Sequence, residues 1–429
     1  MVNDISRLID FNKMDDYLNF TQDKNLISVL NERFSEDGLL YGDEPYSSCL
    51  NPLILTKQGL KDSEEIPKKF ISLLKDLVAL VQDKNLMEDV INSNPIYRLL
   101  RKNFELLVSS DFSKLLYRVD GLIHNGKIMI IEANTNSSGS IVTTEKMNRI
   151  GLELLENPSN LECHSLFEKV VANFSEVYHK NCKNGELFLI IGDKNDSESA
   201  EHKLFRDKLL ENKIPTKLVD YREKIIYEDS NLVYDQKKVG VVYRRIFPLD
   251  YNGDLIKADL EKTTIFFNPL SSYFLATKAF FALFHKLKDS ELKEHKEFIE
   301  SNIVYTSFMS DVDREEIIEN KDDYVLKEIE FNCGNGIYIG KAENKEDWEK
   351  IVSAIGDMAI VQKYIEPLAY EFLDNKIPGS HKRKFDFNLI CIGEELQGVF
   401  VRSNAPGNYK SNTACGASEV FCFYEGDKK

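Results

Sequence analysis

Leu116-Tyr117-Arg118-Val119-Asp120-Gly121-Leu122-Ile123, then His124-Asn125-Gly126, then Lys127-Ile128-Met129-Ile130-Ile131-Glu132-Ala133-Asn134: apolar and polar residues alternate on both sides of a turn signal. Period-two alternation marks half-buried strands, and Asn-Gly between two such runs marks a hairpin. Residues two apart on a strand share a face, so Arg118 goes with Asp120 and Glu132 with Asn134. The turn decides whether the two faces coincide. A two-residue Asn125-Gly126 turn with regular pairing sets Asp120 opposite Ile131 and sends the two carboxylates to opposite sides. A three-residue loop, His124-Asn125-Gly126, pairs even with even and gathers all four polar side chains on one face. The three-residue loop is the expectation here. Two carboxylates and an amide oxygen so gathered form a hard-oxygen site suited to Mg²⁺, which completes its shell with water and phosphate oxygens. Arg118 beside them would neutralise phosphate charge. An amphipathic hairpin with a solvated polar face predicts the same letters.

Farther along, Lys278 stands in an apolar helical pattern between Ala276 and Phe280, where an ammonium needs an anion or a route to solvent. Lys327 ends the strand Tyr324-Val325-Leu326 and leads into a loop over 332–340 that holds Gly334, Gly336 and Gly340. A glycine loop after a strand brings backbone amides to a phosphate while a lysine reaches the same charge. It is not the G-x-x-x-x-G-K-[ST] loop, and a simple turn fits it too. Ile360-Val361-Gln362-Lys363-Tyr364-Ile365 reads as a strand whose edge offers main-chain groups to a flat heterocycle or serves the core. Arg383, Asp386, Asn388, Arg402, Asn404 and Asn412 are spread over the alternating carboxy-terminal stretch.

The chain has 429 residues, enough for two or three domains. Its 42% hydrophobic and 29% charged residues exclude disorder and collagen. Lys plus Arg number 55 against 71 Asp plus Glu, and the resulting charge of −16 repels polyphosphate backbones, so no nucleic-acid partner is expected. Seven scattered cysteines without metal-ligand spacing fit a reducing cytoplasm. No run approaches the ~18 apolar residues of a membrane span and no signal segment opens the chain, so neither membrane nor export is expected.

Helical spacing dominates residues 1–112, with segments at 66–83 and 95–109. The hairpin and two helical patterns, 143–156 and 165–179, occupy 113–184. Strands at 187–191, 216–220, 239–245 and 264–267, with a helix at 198–212, make 185–270 an α/β unit. A helix at 272–286 and the strands and glycine loop just described fill 271–429. There is no internal repeat or low-complexity linker.

The order of these motifs resembles that of the ATP-grasp ligases, in the circularly permuted branch that includes glutathionylspermidine synthetase and the eukaryotic-type glutathione synthetases, over roughly residues 115–420. The run Glu132-Ala133-Asn134-Thr135-Asn136-Ser137-Ser138 is similar to the glutathione synthetase form of the metal motif. Val241-Val242-Tyr243-Arg244-Arg245 with Phe267-Asn268-Pro269 resembles the pre-ATP-grasp domain. The resemblance implies an α/β (α+β) ATP-grasp fold with the metal motif at the front, a pre-ATP-grasp domain and a helical amino-terminal region. It further implies ATP and Mg²⁺ as cofactors, with Asp120, Glu132 and Asn134 on the metal and Arg118 and Arg402 stabilising the transferring phosphate. Lys278, Lys327, Gly334, Gly336, Gln362, Lys363, Tyr364 and Ile365 would bind ATP. The implied activity joins a small-molecule acid, an amino acid or short peptide, to an amine through an acylphosphate. A phosphotransferase that stops at the phosphorylated product, or a non-catalytic nucleotide-binding protein, is the alternative. Related enzymes are often homodimers. The loop lacks the family's adjacent glycine pair, Asn388 stands where many members carry a basic residue, and Glu330 is a further candidate acid near the metal.

Overall fold

The computed structural model describes residues 5–23, 26–84, 86, 88, 111–136, 138–156, 160–183, 185–193, 199–246, 253–329, 336–409 and 416–426. The helix expected at 95–109 lies outside these. Two helices open the chain, α1 (Phe11–Asp23) and α2 (Leu26–Glu36), followed by strand β1 (Ser48–Leu55) and the long helix α3 (Lys57–Lys84). Thr56 starts α3 by accepting the Gly59 N–H on its hydroxyl at 2.9 Å. The hairpin is β2 (Leu116–His124) and β3 (Lys127–Asn134), and helices α4 (Ile141–Leu154) and α5 (Leu166–Asn181) follow it.

Next comes the α/β unit, formed by β4 (Leu187–Gly192), α6 (Ser199–Glu211), β5 (Thr216–Asp220), β6 (Lys237–Arg244) and β7 (Ile265–Phe267). Its strands run parallel in the order β5-β4-β6-β7, and a hairpin at 226–234, which the periodicity did not reveal, adds to β6. Helix α7 (Ala279–Leu287) leads to a four-stranded antiparallel sheet built from β8 (Thr306–Phe308), β9 (Tyr324–Lys327), β10 (Ile337–Ile339) and, after helix α8 (Lys345–Ala354), β11 (Ile360–Lys363). Its order is β8-β11-β9-β10. The chain ends in β12 (Ala369–Leu373), β13 (Ser380–Ile392), β14 (Glu395–Ser403) and β15 (Ser418–Glu425).

These last strands join the hairpin and β1 in one large sheet, ordered β1-β15-β14-β13-β2-β3, with β12 beside β13. β1 is the element that helical spacing at the amino terminus concealed. All eight of its residues are buried, so Ser48-Cys49-Leu50-Asn51-Pro52-Leu53-Ile54-Leu55 shows no alternation. Pro52 falls where the register with β15 slips, a place where a residue without an N–H is tolerated.

The large sheet buries one face under α3 and α7, where the Phe70 ring lies 6.0 Å from Tyr117, 6.5 Å from Phe281 and 6.3 Å from Phe284. The other face changes character along the strands. Leu116, Ile390 and Ile392 pack with α5 and the α/β unit, whereas the next positions on the same side are Arg118, Asp120, Asn388 and Asp386. Core packing thus fixes the strands at one end and leaves a rigid polar platform at the other.

The hairpin turn differs from expectation. Asn125 and Gly126 have φ of 47° and 71°, and His124 pairs with Lys127, so the loop has two residues of the mirror-turn type. Regular pairing would then put Asp120 opposite Ile131. Instead, a bulge at Ile131 resets the register so that Gly121 pairs with Ile130, Asp120 with Glu132 and Arg118 with Asn134. The four polar residues share a face, as anticipated, but a bulge and not a longer loop puts them there. The apolar helix expected at 272–286 is also interrupted: helical segments cover 271–275 and 279–287, and Lys278 sits immediately before α7 instead of within its apolar face.

Candidate functional site

Cross-strand pairing assembles the site. Arg118 grips Asp120 with two hydrogen bonds, Nε to Oδ1 at 2.5 Å and Nη2 to Oδ2 at 2.9 Å. Two strands away on β14, Arg402 donates from Nε and Nη2 to one oxygen of Asp386, Oδ2, at 3.0 and 2.6 Å, and its Nη2 also lies 3.6 Å from Asp120. The Phe400 ring supports both guanidinium groups, whose central carbons stand 5.7 and 5.2 Å from its centroid. Burial works against ionisation of Asp120, yet the Arg118 guanidinium, aided by Arg402, holds its carboxyl below the usual aspartate range. For Arg118, burial disfavours the charge and Asp120 more than offsets it, so the guanidinium stays firmly protonated.

The small sheet and the start of α7 contribute the cations opposite. Lys327, 3% exposed, donates to the Ile131 carbonyl at 3.1 Å and lies 3.9 Å from Glu132. Burial, its largest influence, holds the pKa of this ammonium below the usual lysine value and the neighbouring Lys278 adds to that, while Glu132 and Asp120 pull the other way. Two buried lysines close enough to repel each other thus stand beside two carboxylates.

Other expected residues are placed differently. Gln362 is 2% exposed and its amide is engaged, donating to the Ile131 carbonyl at 3.2 Å and to Thr306 Oγ1 at 2.9 Å. Lys363 turns outward over the Tyr324 ring at 4.0 Å, and its backbone N–H pairs with Tyr305. The Tyr364 N–H donates to the Asp323 carbonyl at 2.7 Å, while its ring stands between Lys341 and Lys384. Ile365 is half-buried just past β11. Gly336 adopts φ of 63° at the base of the glycine loop, its carbonyl accepting the Glu328 N–H at 2.8 Å. Gly334, Glu330 and Asn412 lie outside the described residues. A cavity of about 470 Å³ separates β10 from the segment after Arg402, with Ile337, Ile339, Pro406 and Tyr409 on its walls.

Residues of the α/β unit brace the platform. Arg244 is fully buried and donates to the Asn268 carbonyl and the Ser272 hydroxyl, both at 2.6 Å. Arg245 donates to the Ser138 carbonyl, tying down the segment that follows Asn134.

Among the described residues no three His, Cys, Asp or Glu side chains form a ready metal cage. The donor set is instead two carboxylates with amides. Asn388, fully buried and paired across from Asp120, donates its Nδ2 to Asp386 at 2.7 Å and leaves Oδ1 without a partner. An orphaned buried oxygen beside Asp120, Glu132 and Asn134 fits a hard divalent cation.

Spacing did not disclose Phe400, Ile131 or Glu419. Glu419 pairs with Arg402 across the ladder and accepts the Thr144 hydroxyl at 2.6 Å. Burial pushes its carboxyl up to about 8, the Glu201 charge adds to this, and Thr144 and Arg402 offset only part. The folded chain thus keeps this proton until about pH 8, while an unfolded glutamate loses it near 4.5. The stabilising contribution is complete below the unfolded value and disappears as pH rises through the folded one. Glu419→Gln should therefore match the native chain at pH 4.5 and exceed its stability by roughly 1–3 kcal/mol at pH 9. Urea unfolding at the two pH values checks this, and equal differences at both would refute it.

No family model and no curated protein sequence matches the chain. Solved structures do. A glutathione synthetase-like effector from Globodera pallida, in its apo form, superposes with a TM-score of 0.67 at 14% identity, covering 93% of this chain and 96% of that one. A putative gamma-glutamylcysteine synthetase from Methylobacillus flagellatus gives 0.44 at 12% identity over 82% of this chain and 86% of that one. A RimK-domain ATP-grasp protein from Sphaerobacter thermophilus gives 0.29 at 14% identity over 50% and 90%. Over nearly its whole length, then, the chain has the ATP-grasp fold in the form seen in a glutathione synthetase-like protein.

Proposed function

We propose that this chain is an ATP-dependent carboxylate–amine ligase that joins an amino acid or short peptide to an amine. The observation that carries the reading is the facing of two groups of charges: Arg118, Asp120, Glu132 and Arg402 on the large sheet against Lys327 from the smaller sheet and Lys278 from the start of α7. The fold shared with a glutathione synthetase-like protein supports it. In this reading a substrate carboxylate oxygen attacks the γ-phosphorus of ATP and ADP leaves. The amine nitrogen then attacks the acyl carbon, phosphate departs, and the amine's proton is released.

Two anions meet in the first step, so the site must supply positive charge that is already in place. Lys327 and Lys278 hold phosphate oxygens, and Arg118 and Arg402 face the transferring group, each oriented by a carboxylate and by the Phe400 ring. Asp120, Glu132 and Asn134 would hold Mg²⁺, which supplies charge neutralisation on the phosphates. The cavity beside β10, whose walls mix Ile337, Ile339 and Pro406 with Glu343 and Asn408, would take the flat base, and Gly336 stands at the base of the loop that would cover the phosphates and exclude water. No side-chain nucleophile is needed. The five described cysteines are unpaired thiols, which supports a cytoplasmic location.

The test is release of ADP and phosphate from Mg-ATP against a panel of amino acids and peptides, with and without amines, products read by mass spectrometry. A product mass equal to acid plus amine minus water is the expected result. A phosphorylated acid formed whatever amine is present would favour the phosphotransferase, and absence of Mg-ATP binding would overturn the nucleotide reading altogether.

A further inference from the structure

The bulge that brings Asp120 and Glu132 together leaves Ile131 without a ladder partner on β2. Its carbonyl is taken up by the small sheet, accepting Lys327 Nζ at 3.1 Å and Gln362 Nε2 at 3.2 Å. Gln362 uses its second amide hydrogen on Thr306 Oγ1 at 2.9 Å, and that hydroxyl donates onward to the Val304 carbonyl at 2.8 Å. Along the same outer edge of β3, the Val304 N–H donates to Ile130 and Asn302 Nδ2 to Ile128, both at 3.0 Å. The small sheet and the segment leading into it are therefore fastened to the hairpin by contacts on Ile128, Ile130 and Ile131, ending at the residue before Glu132.

The two donors on Ile131 are not equivalent. Lys327 is a cation, and an arriving phosphate attracts it far more strongly than a neutral carbonyl does. Gln362 is neutral, buried and committed at both amide hydrogens. Turning the amide over would set its oxygen against the Ile131 carbonyl, lone pair to lone pair. The family resemblance implies Gln362 as a nucleotide residue, whereas its side-chain amide donates to the hairpin carbonyl of Ile131 and to Thr306.

We propose that Gln362 is a positioning residue, whose amide holds the Ile131 carbonyl so that Glu132 stays on the Asp120 face while Lys327 is released to a nucleotide phosphate. This rests on the ligase reading for the ligands that arrive. The pinning itself is a property of the free protein. Supporting groups around metal ligands typically change metal affinity about 10–100-fold when removed.

The experiment uses the full chain as native protein, Gln362→Met and Thr306→Val, with Mn²⁺ and an imido analogue of ATP as probes, and hydrogen exchange of the hairpin amides without ligand. In Gln362→Met, Mn²⁺ binding to the analogue complex should weaken at least about tenfold. Binding of the analogue in EDTA should stay within about twofold, because Gln362 touches no nucleotide in this assignment. Thr306→Val, which keeps the Gln362 donor but loses its anchor, should weaken Mn²⁺ about threefold. Exchange at Glu132 and Ala133 should quicken about tenfold in Gln362→Met. Unchanged Mn²⁺ affinity would overturn the proposal, as would equal losses for metal and nucleotide, which would make Gln362 a nucleotide contact. If the native chain binds no Mn²⁺ analogue complex, the ligase reading fails, and the exchange rates alone decide the pinning: unchanged rates overturn it.

Discussion

Glu132→Gln is expected to fold and melt as the native chain does while Mg²⁺-dependent turnover falls by at least about 10²–10³-fold, the range seen when one fixed electrostatic contact to a transition state is removed. The substitution keeps the shape and deletes one negative charge. Structure offers little reason for a stability loss, because the Glu132 side chain is a quarter exposed and its nearest cation, Lys327, is held independently on the Ile131 carbonyl. Function should suffer on two counts. One of two carboxylates in the proposed donor set becomes neutral, and the charge that most opposes the burial-driven lowering of the Lys327 pKa is withdrawn. Raising Mg²⁺ should recover part of the rate if the defect lies in metal affinity. Native turnover at ordinary Mg²⁺ would remove Glu132 from the site.

How much of this site was legible depended on which interactions are local in sequence. Arg118-x-Asp120 and Glu132-x-Asn134 are readable because the two-residue period of a strand fixes their faces. That the two faces coincide was anticipated, but through a longer loop. The actual device, one extra residue at Ile131, leaves no mark in an apolar run where Met129, Ile130, Ile131 and Ala133 look alike. Lys278 was conspicuous as a charge in an apolar stretch, and the helix yields at that point. Phe400 and Glu419 were illegible for a different reason. Each acquires its meaning from strands that meet only in the sheet: Phe400 from Arg118 on a strand nearly three hundred residues earlier in the chain, and Glu419 from Arg402 and Thr144. Buried strand β1 was hidden because a segment covered on both sides carries no period at all.

Arg383 shows why residue type and company do not by themselves identify a site arginine. Its letters match those of Arg402, yet Arg383 and its partner Asp374 are wholly buried away from the platform. Arg383 donates to Asp374 at 2.5 Å, to Ser418 Oγ at 3.0 Å and to the Asn404 carbonyl, and Asp374 also accepts the Lys376 N–H at 2.7 Å and the Ile377 N–H at 3.2 Å. The network ties β12, β13 and β15 together beside β1. Removing the guanidinium leaves a carboxylate without its counter-ion where no solvent reaches, a change that costs about 3–5 kcal/mol. Against a total of roughly 5–15 kcal/mol for a folded chain, Arg383→Met should be among the most destabilising single substitutions in the protein. The double variant Arg383→Met with Asp374→Leu should recover much of that loss, since a buried ion pair replaced whole by apolar groups is often near neutral. The surviving folded fraction of either variant should bind Mg-ATP within about twofold of the native chain, because neither residue faces the cleft. Urea unfolding and nucleotide titration on the same samples separate the two arginines: a stable Arg383→Met with weakened Mg-ATP would place Arg383 in the site and undo the distinction drawn from its burial.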